Sequence, residues 1–531
     1  MDLSGTGCQG TGSGIRRGVD LLGTGLWLLL GLGPILAILV AATGNSDIAD
    51  VAAPSLRRLD LFLTSIALGA AVASFTTAVS VLAAYAAGRH AGRPAGLLFW
   101  APLSMIAVPP YVHANAWMAV GREINTLLGR AGGAALAVPD WAAAFWVQSM
   151  AFLPVTFGFA LLGMARVEPA LADAGLLHGD RWRVFTRISL PLAAPLIVVG
   201  TGLAALLSLI DFGTPALFQL PSYAMEIFVT FSAGADARST LVLALPLVIV
   251  CVTILAGLLG RIETGAIRPV SAGHTATACG AEPVWFVSLQ RVAIGFLTVQ
   301  LAVPLLVLIY ETGSFTVFLE TATAARADLG NSAATAAAAA ALSLALGGLL
   351  FRRLHRRRWM LLCLVPLAIP GTLIGIGLIN LWNREISAAV YGGPAMPVLA
   401  SVARFAPIGI VLLYAYHKTI PRDLIDAARL FRGNGAATWR QVYLPLYWRG
   451  IAASCLLVFA LSLGELAATI LVLPPGQGAL SIRVFNLLHY GSTSAVASLC
   501  LLMLLVSMAA GRALLLLLGR SDTRRPRRRR P

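Results

Sequence analysis

The sequence predicts an all-α polytopic membrane protein with about 12 transmembrane helices, arranged as two tandem parallel six-helix repeats. The chain of 531 residues is 58% hydrophobic and only 12% charged, and its mean hydropathy is +0.83. It contains a series of apolar stretches, each long enough to cross about 30 Å of hydrocarbon. Its two halves also share sequence at one constant spacing. This composition argues against a water-soluble fold, because the apolar residues could not all be hidden from water.

The apolar stretches alternate with short polar loops. The first stretch is too long for the apolar region of a cleaved signal peptide, and no small-residue cleavage site follows it, so we expect it to be retained. The expected spans are 21–43, 61–87, 95–121, 141–165, 190–210, 240–260, 289–310, 332–351, 359–382, 396–416, 446–472 and 494–518.

The positive residues indicate the orientation of the chain. Most of the 39 lysine and arginine residues fall in loops on one side of the predicted membrane, including the runs 352–358 and 520–530. Since cytoplasmic loops carry the excess of positive charge, we expect both termini to be cytoplasmic. The net charge of +16 belongs to these loops and not to a separate basic module. We therefore expect no nucleic-acid partner, and the arginine-rich tail is expected to meet membrane lipid.

The sequence offers no sign of an enzyme. We find no HExxH, no GxSxG and no acidic cluster with metal-ligand spacing, and the six cysteines form no CxxC pair. We expect neither catalytic residues nor a metal site. Lys418 is the only lysine and follows no glycine-rich loop, so the chain lacks the Walker A means of binding ATP.

An internal repeat organises the chain. The segment Leu207–Asp211 matches Leu461–Glu465, and Pro191 matches Pro445 at the same spacing. Because each half has six spans, both enter the membrane in the same orientation, and a pore is expected between them. The expected divisions are a cytoplasmic tail at 1–20, a first repeat at 21–260, a cytoplasmic linker at 261–288, a second repeat at 289–518 and a tail at 519–531.

Two predicted cytoplasmic loops share a pattern. Residues 167–191 read VEPALADAGLLHGDRWRVFTRISLP, and residues 420–445 read IPRDLIDAARLFRGNGAATWRQVYLP. Each predicts a short amphipathic helix with Asp-Ala, a turn with glycine, and a second helical segment ending in Leu-Pro. Alanines permit close approach of another surface, so each loop is suited to binding a partner.

These loops resemble the EAA loop, EAA-x3-G-x9-I-x-LP, of permease subunits of ABC importers. The resemblance implies that they form coupling helices seated in grooves of an ATPase dimer, which binds the ATP; this chain itself carries no cofactor. Aspartate stands for the glutamate in both halves, Arg432 occupies the expected glycine position of the second loop, and the first loop is one residue shorter. The implied coupling residues are Asp173, Ala174, Gly179, Asp426, Ala427, Ala428 and Gly433.

Further segments narrow the resemblance. VPPYVHANAW, IDFGTPALF, PLAIPGTLIGIGL and GELAATILVLPPG are similar to segments of the fused, double-length permeases of the ferric-iron and thiamine type. That family implies a bacterial inner-membrane protein fed by an extracytoplasmic solute-binding protein. Ferric iron is the substrate it suggests first, with thiamine, polyamine and phosphonate as alternatives.

Interrupted helices at repeat-related positions indicate a translocation site. A proline pair interrupts the third span and a Pro-Gly pair the ninth, although membrane helices also tolerate such breaks for packing alone. Polar residues at this depth face protein or a cavity; the histidine could be an interior packing residue, and the arginine could instead extend to the membrane surface. The path candidates are Pro109, Pro110, Tyr111, His113, Asn115, Pro370, Gly371 and Arg404.

Two acidic residues mark the predicted outer face. Asp211 and Glu465 lie about 20 residues, or roughly 30 Å of helix, beyond Pro191 and Pro445. The loops that follow, 212–239 and 466–493, are long. We expect this region to dock the binding protein, with a purely structural re-entrant loop as the alternative.

One competing class remains open from the sequence. The segment 88–93, GRHAGR, is similar to a loop of the major facilitator family, which would make the chain an ion-coupled secondary transporter. The segment lacks the aspartate of that loop, and that family carries no paired EAA loops.

Overall fold

The computed structural model describes residues 9–41, 55–88, 101–266, 282–421, 423, 424, 426, 438–490 and 493–519, and all regular structure within these ranges is helical. The α-helices before the predicted linker are α1 (Gln9–Leu30), α2 (Gly33–Ala41), α3 (Leu56–Ala87), α4 (Pro110–Arg130), α5 (Asp140–Met164), α6 (Pro169–Leu176), α7 (Arg181–Val184), α8 (Leu190–Ile210), α9 (Gly213–Leu217), α10 (Tyr223–Ser232) and α11 (Ala237–Ala266).

The remaining α-helices are α12 (Val284–Thr312), α13 (Phe315–Ala324), α14 (Arg326–Leu350), α15 (Arg357–Leu364), α16 (Gly371–Trp382), α17 (Ala388–Tyr391), α18 (Ala395–Thr419), α19 (Leu444–Leu463), α20 (Thr469–Val472), α21 (Leu480–Tyr490) and α22 (Thr493–Gly519). Short 3₁₀ and π segments complete the fold at Ser104–Ala107, Phe185–Ser189, Val365–Ala368, Glu385–Ser387 and Trp439–Tyr443.

The all-α polytopic architecture is confirmed. Within the described ranges, nine helices are long and apolar enough to cross a membrane, and two bent pairs raise the number to as many as 11. The third predicted span, 95–121, begins among residues outside the described ranges. Its described part is helical at 101–107 and continues, after Pro109, as α4. Helix α4 has 21 residues but contains Arg122, Glu123 and Arg130, and it is not among the helices apolar enough to be counted.

The two halves repeat the same order of elements. In each, a five-residue π-helix, Phe185–Ser189 or Trp439–Tyr443, leads directly into a long helix, α8 or α19. Each of these long helices has proline in its first turn. The Leu-Pro ends of the two predicted loops therefore occupy equivalent structural positions.

Equivalent contacts also hold the segment that follows each long helix. The backbone amide of Tyr223 donates to the Ser65 hydroxyl at 2.9 Å, and the amide of Leu480 donates to the Ser332 hydroxyl at 2.8 Å. Ser65 of α3 thus fixes the start of α10, and Ser332 of α14 fixes the start of α21.

An ion pair accompanies each of these contacts, with its charges reversed between the halves. Arg57 of α3 pairs with Glu226 of α10 at 2.8 Å, whereas Asp328 of α14 pairs with Arg483 of α21 at 2.7 Å. Because all four side chains are partly exposed, each pair contributes at most about 1 kcal/mol.

The largest apolar core contains residues of both halves, including Tyr111, Ile210, Leu373 and Leu466. The halves therefore share one buried interface instead of packing as separate bundles.

Several helices extend across the predicted divisions of the chain. Helix α1 begins at Gln9, inside the predicted tail at 1–20. The predicted linker is helical at both edges, since α11 continues to Ala266 and α12 begins at Val284. Residues 267–281 and 520–531 lie outside the described ranges.

Candidate functional site

A cavity of about 160 Å³ lies between the two halves. Equivalent positions of both halves line it. Two residues that precede a proline within α5, and two that precede a proline within α18, belong to the lining. The last turns of α8 and α19 also belong to it. The corresponding residues are Ala151 and Arg404, Phe152 and Phe405, Leu207 and Leu461, Asp211 and Glu465, and Gly213 and Ala467. The cavity therefore lies where the repeat relation would place a central path.

The broken third span reaches this cavity from the first half. The 3₁₀ segment Ser104–Ala107 ends before Pro109, whose extended backbone (φ −65°, ψ 146°) precedes the new helix at Pro110. Pro109, Pro110 and Tyr111 all line the cavity. The Tyr111 hydroxyl donates to the backbone oxygen of Gly464 at 3.4 Å. The break thus brings one half into direct contact with the end of α19 in the other.

The broken ninth span supports the cavity without lining it. Segment Arg357–Ala368 and helix α16 are bent by 101°, with Pro370 in an extended conformation (φ −53°, ψ 136°) before Gly371. A Cβ atom on Gly371 would lie only 2.0 Å from Arg404 Nη1. Glycine at this position therefore lets the guanidinium lie directly on the start of α16.

Arg404 pairs with Glu465 inside the cavity. Its Nη1 lies 2.7 Å from Glu465 Oε1, and the two side chains are 19% and 1% exposed. Glu465 also accepts hydrogen bonds from the Ala468 amide at 3.0 Å, from the Thr469 amide at 2.8 Å and from the Thr469 hydroxyl at 2.6 Å. The carboxylate is thus fully hydrogen-bonded and caps α20.

Asp211 takes the equivalent place in the first half with different partners. Its Oδ2 accepts from Gln148 Nε2 at 3.0 Å, and its Oδ1 accepts from the Gly213 amide at 3.0 Å. Gln148 is held in turn by the Ser208 hydroxyl, which donates to its Oε1 at 2.5 Å. Where the second half has Arg404, the first half has Ala151, so no arginine approaches Asp211 from that position.

The docking role expected for Asp211 and Glu465 stays a prediction. Glu465 is 3% exposed, and both carboxylates line the cavity. Each accepts a hydrogen bond from the first backbone amide of the short helix that follows, α9 or α20. Helix length alone could not reveal these contacts.

His113 and Asn115 lie on α4 but outside the cavity lining. Both are buried, at 0% and 6% exposure. Neither ring nitrogen of His113 has a hydrogen-bond partner among the described residues. Their side chains point into the packing around α4, so the structure separates them from the other path candidates.

The first predicted coupling loop is a helix, a turn and a second helix. Asp180 caps the second helix by accepting from the Arg183 amide at 3.0 Å. A Cβ atom on Gly175 would lie 2.5 Å from Ile188 Cδ1, so this glycine permits α6 to pack against the π-helix. Gly179, the predicted turn glycine, has no positive φ; the close contact falls instead on Gly175.

Polar groups at the start of this loop lack partners within the described part of the chain. Asp173 Oδ1 and the Nε and Nη1 atoms of Arg166 are buried without a hydrogen bond, and burial lowers the pKa of the Arg166 guanidinium. Ala174 is exposed. Sequence reasoning did not single out Arg166.

The loop is anchored to the start of α12 by an aromatic cluster that the sequence did not reveal. The Trp182 ring lies 5.0 Å from Phe286 and 4.8 Å from Trp285, measured between centroids. Arg181 Nε also lies 3.6 Å from Glu282 Oε1. A displacement of the first loop would therefore act directly on the start of α12.

Phe286→Ala should test this anchor. Phe286 is fully buried and meets Trp182, Phe185 and Tyr85, so we expect a loss of about 3–5 kcal/mol of stability, measured by thermal unfolding in detergent. Trp285→Ala is the matched control, since Trp285 is 49% exposed and its loss should cost much less. Equal losses from the two variants would contradict a buried anchor at Phe286.

The second coupling loop is described only in part. Asp426 is exposed and helical, whereas Ala427, Ala428 and Gly433 lie outside the described residues. At the inner end of the next helix, Tyr447 hydrogen-bonds to His417, which packs 4.8 Å from Phe351. The second loop thus leads into an aromatic cluster at the ends of α14 and α18.

Comparison with known proteins finds similarity to transport permeases. Residues 337–521 match the family described as binding-protein-dependent transport system inner membrane component. The chain is 26% identical over 156 residues to the putative 2-aminoethylphosphonate transport system permease protein PhnV of Salmonella paratyphi A, covering 29% of this chain and 57% of the relative. It is 29% identical over 158 residues to the molybdenum transport system permease protein ModB of Mycobacterium tuberculosis, covering 28% and 60%.

A shorter match reaches the putative molybdenum transport system permease protein YvgM of Bacillus subtilis, at 33% identity over 79 residues, covering 15% of this chain and 35% of the relative. The chain thus spans less than two thirds of each of these relatives. Together the matches support a permease of the binding-protein-dependent ABC class. They give no support to ferric iron as the substrate.

Proposed function

We propose that the chain is the transmembrane permease subunit of a binding-protein-dependent ABC importer, with both halves of the permease fused in one polypeptide. The observation that carries this proposal is the cavity lined by equivalent residues of the two halves. A pore between two like halves needs such a shared lining. The second half also matches the permease family directly.

The partners follow from the two loops. An ATPase dimer would bind the loops around Asp173 and Asp426 and supply the energy, because the chain has no nucleotide-binding loop of its own. An extracytoplasmic binding protein would deliver the solute to the opposite side. The chain would lie in the inner membrane of a bacterium with both termini in the cytoplasm, in keeping with the distribution of its arginines.

The solute we propose, in place of ferric iron, is a small molecule that bears an oxyanion group, because one group of relatives is named for 2-aminoethylphosphonate. The support within the chain is Arg404, because its guanidinium lines the cavity and can donate hydrogen bonds to an oxyanion group.

Reconstitution tests the proposal. The chain, the ATPase and the binding protein encoded beside it are placed in proteoliposomes, and uptake of labelled 2-aminoethylphosphonate and molybdate is measured with and without ATP on the ATPase side. We expect uptake only with ATP and with all three components. Accumulation by the chain alone, driven by an ion gradient, would show a secondary transporter and refute the proposal.

A further inference from the structure

The two halves place equivalent residues around the cavity but give it unequal charges. In the second half, Arg404 neutralises Glu465 at 2.7 Å. In the first half, Asp211 lines the same cavity while Ala151 occupies the position of the arginine. The cavity therefore holds one guanidinium and two carboxylates, and only one of these carboxylates has a cationic partner.

Asp211 is the carboxylate without a cation. Its partners are the neutral Gln148 amide and the Gly213 backbone amide, each at 3.0 Å, and the Thr214 backbone amide at 3.5 Å. No lysine or arginine of the described chain pairs with it. Since a carboxylate in a low-dielectric site is costly without an opposite charge, a cationic group on a ligand would be stabilised beside Asp211.

Arg404 can accept a second anionic partner. A guanidinium has five N–H donors, and one of those of Arg404 binds Glu465. None of its nitrogens is both buried and unpaired among the described residues, and the side chain lines the cavity. Glu465 keeps its bonds from Ala468 and Thr469, so it stays satisfied when Arg404 also binds a ligand.

The size of the cavity limits the ligand. Its volume of about 160 Å³ is well below the 300–1,000 Å³ typical of pockets for drug-sized ligands. Only a solute with few non-hydrogen atoms fits.

We propose that this cavity binds a small zwitterion, with its ammonium group at Asp211 and its oxyanion group at Arg404. This inference rests on the proposed function, because it takes the cavity to be the translocation path, and it narrows the solute class. A plain oxyanion would meet repulsion from Asp211, and a plain cation would meet repulsion from Arg404.

Direct binding to the purified full-length chain in lipid nanodiscs tests the proposal without any partner. Three probes are compared by isothermal titration: 2-aminoethylphosphonate, which carries both charges; propylphosphonate, in which methyl replaces the ammonium; and propylammonium, which lacks the oxyanion. We expect 2-aminoethylphosphonate to bind about 10- to 100-fold more tightly than either single-charge probe, the gain typical of one hydrogen bond to a charged group.

Two variants change the charge of the cavity beside the proposed ammonium site. Asp211→Asn removes the charge at constant shape and should make 2-aminoethylphosphonate and propylphosphonate bind equally. Ala151→Arg gives the first half the arginine of the second, and should favour propylphosphonate over the zwitterion. Asp328→Asn, which alters an ion-paired carboxylate outside the cavity lining, should leave the preference unchanged.

Equal binding of 2-aminoethylphosphonate and propylphosphonate by the unaltered chain would indicate a simple oxyanion site and overturn the inference. So would the absence of binding by all three probes, or an unaltered preference in both Asp211→Asn and Ala151→Arg. None of these results bears on ATP-driven uptake, which decides the proposed function separately. Conversely, zwitterion selectivity without ATP-driven uptake would leave this site in place and refute only the importer.

Discussion

Gly371→Ala is expected to reduce transport by at least about tenfold while the protein still inserts and assembles. The added Cβ would lie 2.0 Å from Arg404 Nη1 and 2.7 Å from the Ala467 Cβ. Arg404 could turn aside, but Ala467 has no side-chain freedom, so the start of α16 must shift. Such overpacking typically costs about 1–3 kcal/mol, and here it falls on the residues that hold the ion pair in the cavity.

The measurement is solute uptake by the reconstituted transporter, with size-exclusion chromatography as a check on folding. Gly121→Ala is the control, since Gly121 lies in α4, the corresponding helix of the first half, and a Cβ there meets nothing within 4 Å. Its uptake should match that of the unaltered protein. Normal uptake by Gly371→Ala would show that contact between the guanidinium and the backbone of α16 is dispensable.

The sequence predicts where the membrane helices are interrupted, but it does not predict which residues meet at the central cavity. Pro109 and Pro370 mark both interruptions correctly, because proline lacks an amide hydrogen and restrains the residue before it. The surroundings of Asp211 and Glu465 could not be obtained in the same way. Counting helical rise correctly places them just beyond α8 and α19, but only tertiary packing brings both carboxylates to the cavity.

The contact between the first loop and α12 also could not be predicted from the sequence. Trp182 stands in the loop and is visible in the sequence, but its partner Phe286 lies about a hundred residues later, inside the predicted linker 261–288. No periodicity connects residues so far apart. The sequence therefore predicts a partner-binding loop without showing that this loop is packed against the start of α12.

These contacts suggest how a force on the loops would reach the cavity. The first loop touches the start of α12 through Trp182 and Phe286, and its π-helix continues directly into α8. Helix α8 ends at Asp211 in the cavity wall. A rigid helix of 21 residues thus joins the proposed ATPase contact to the proposed solute contact, and α19 does the same for Glu465.

Asp426→Arg is accordingly expected to lower ATP-driven uptake at least about tenfold and to weaken retention of the ATPase. The carboxylate is exposed on the second loop, at the position that the acidic residue of the EAA pattern occupies. Removing one hydrogen bond to a charged group costs about 1.5–3 kcal/mol, and reversing the charge adds repulsion. The measurements are uptake by proteoliposomes and the amount of ATPase that copurifies with the chain.

Two further variants separate coupling from a general effect of charge. Asp426→Glu restores the acid found in the EAA pattern and should retain uptake, because the charge is unchanged and the longer side chain suits that pattern. Glu385→Arg makes the same change of charge at another exposed carboxylate, on the segment predicted to lie at the opposite side of the membrane, and should leave the ATPase bound. If Asp426→Arg retained both uptake and the ATPase, the second loop would not be the site where nucleotide hydrolysis drives this chain.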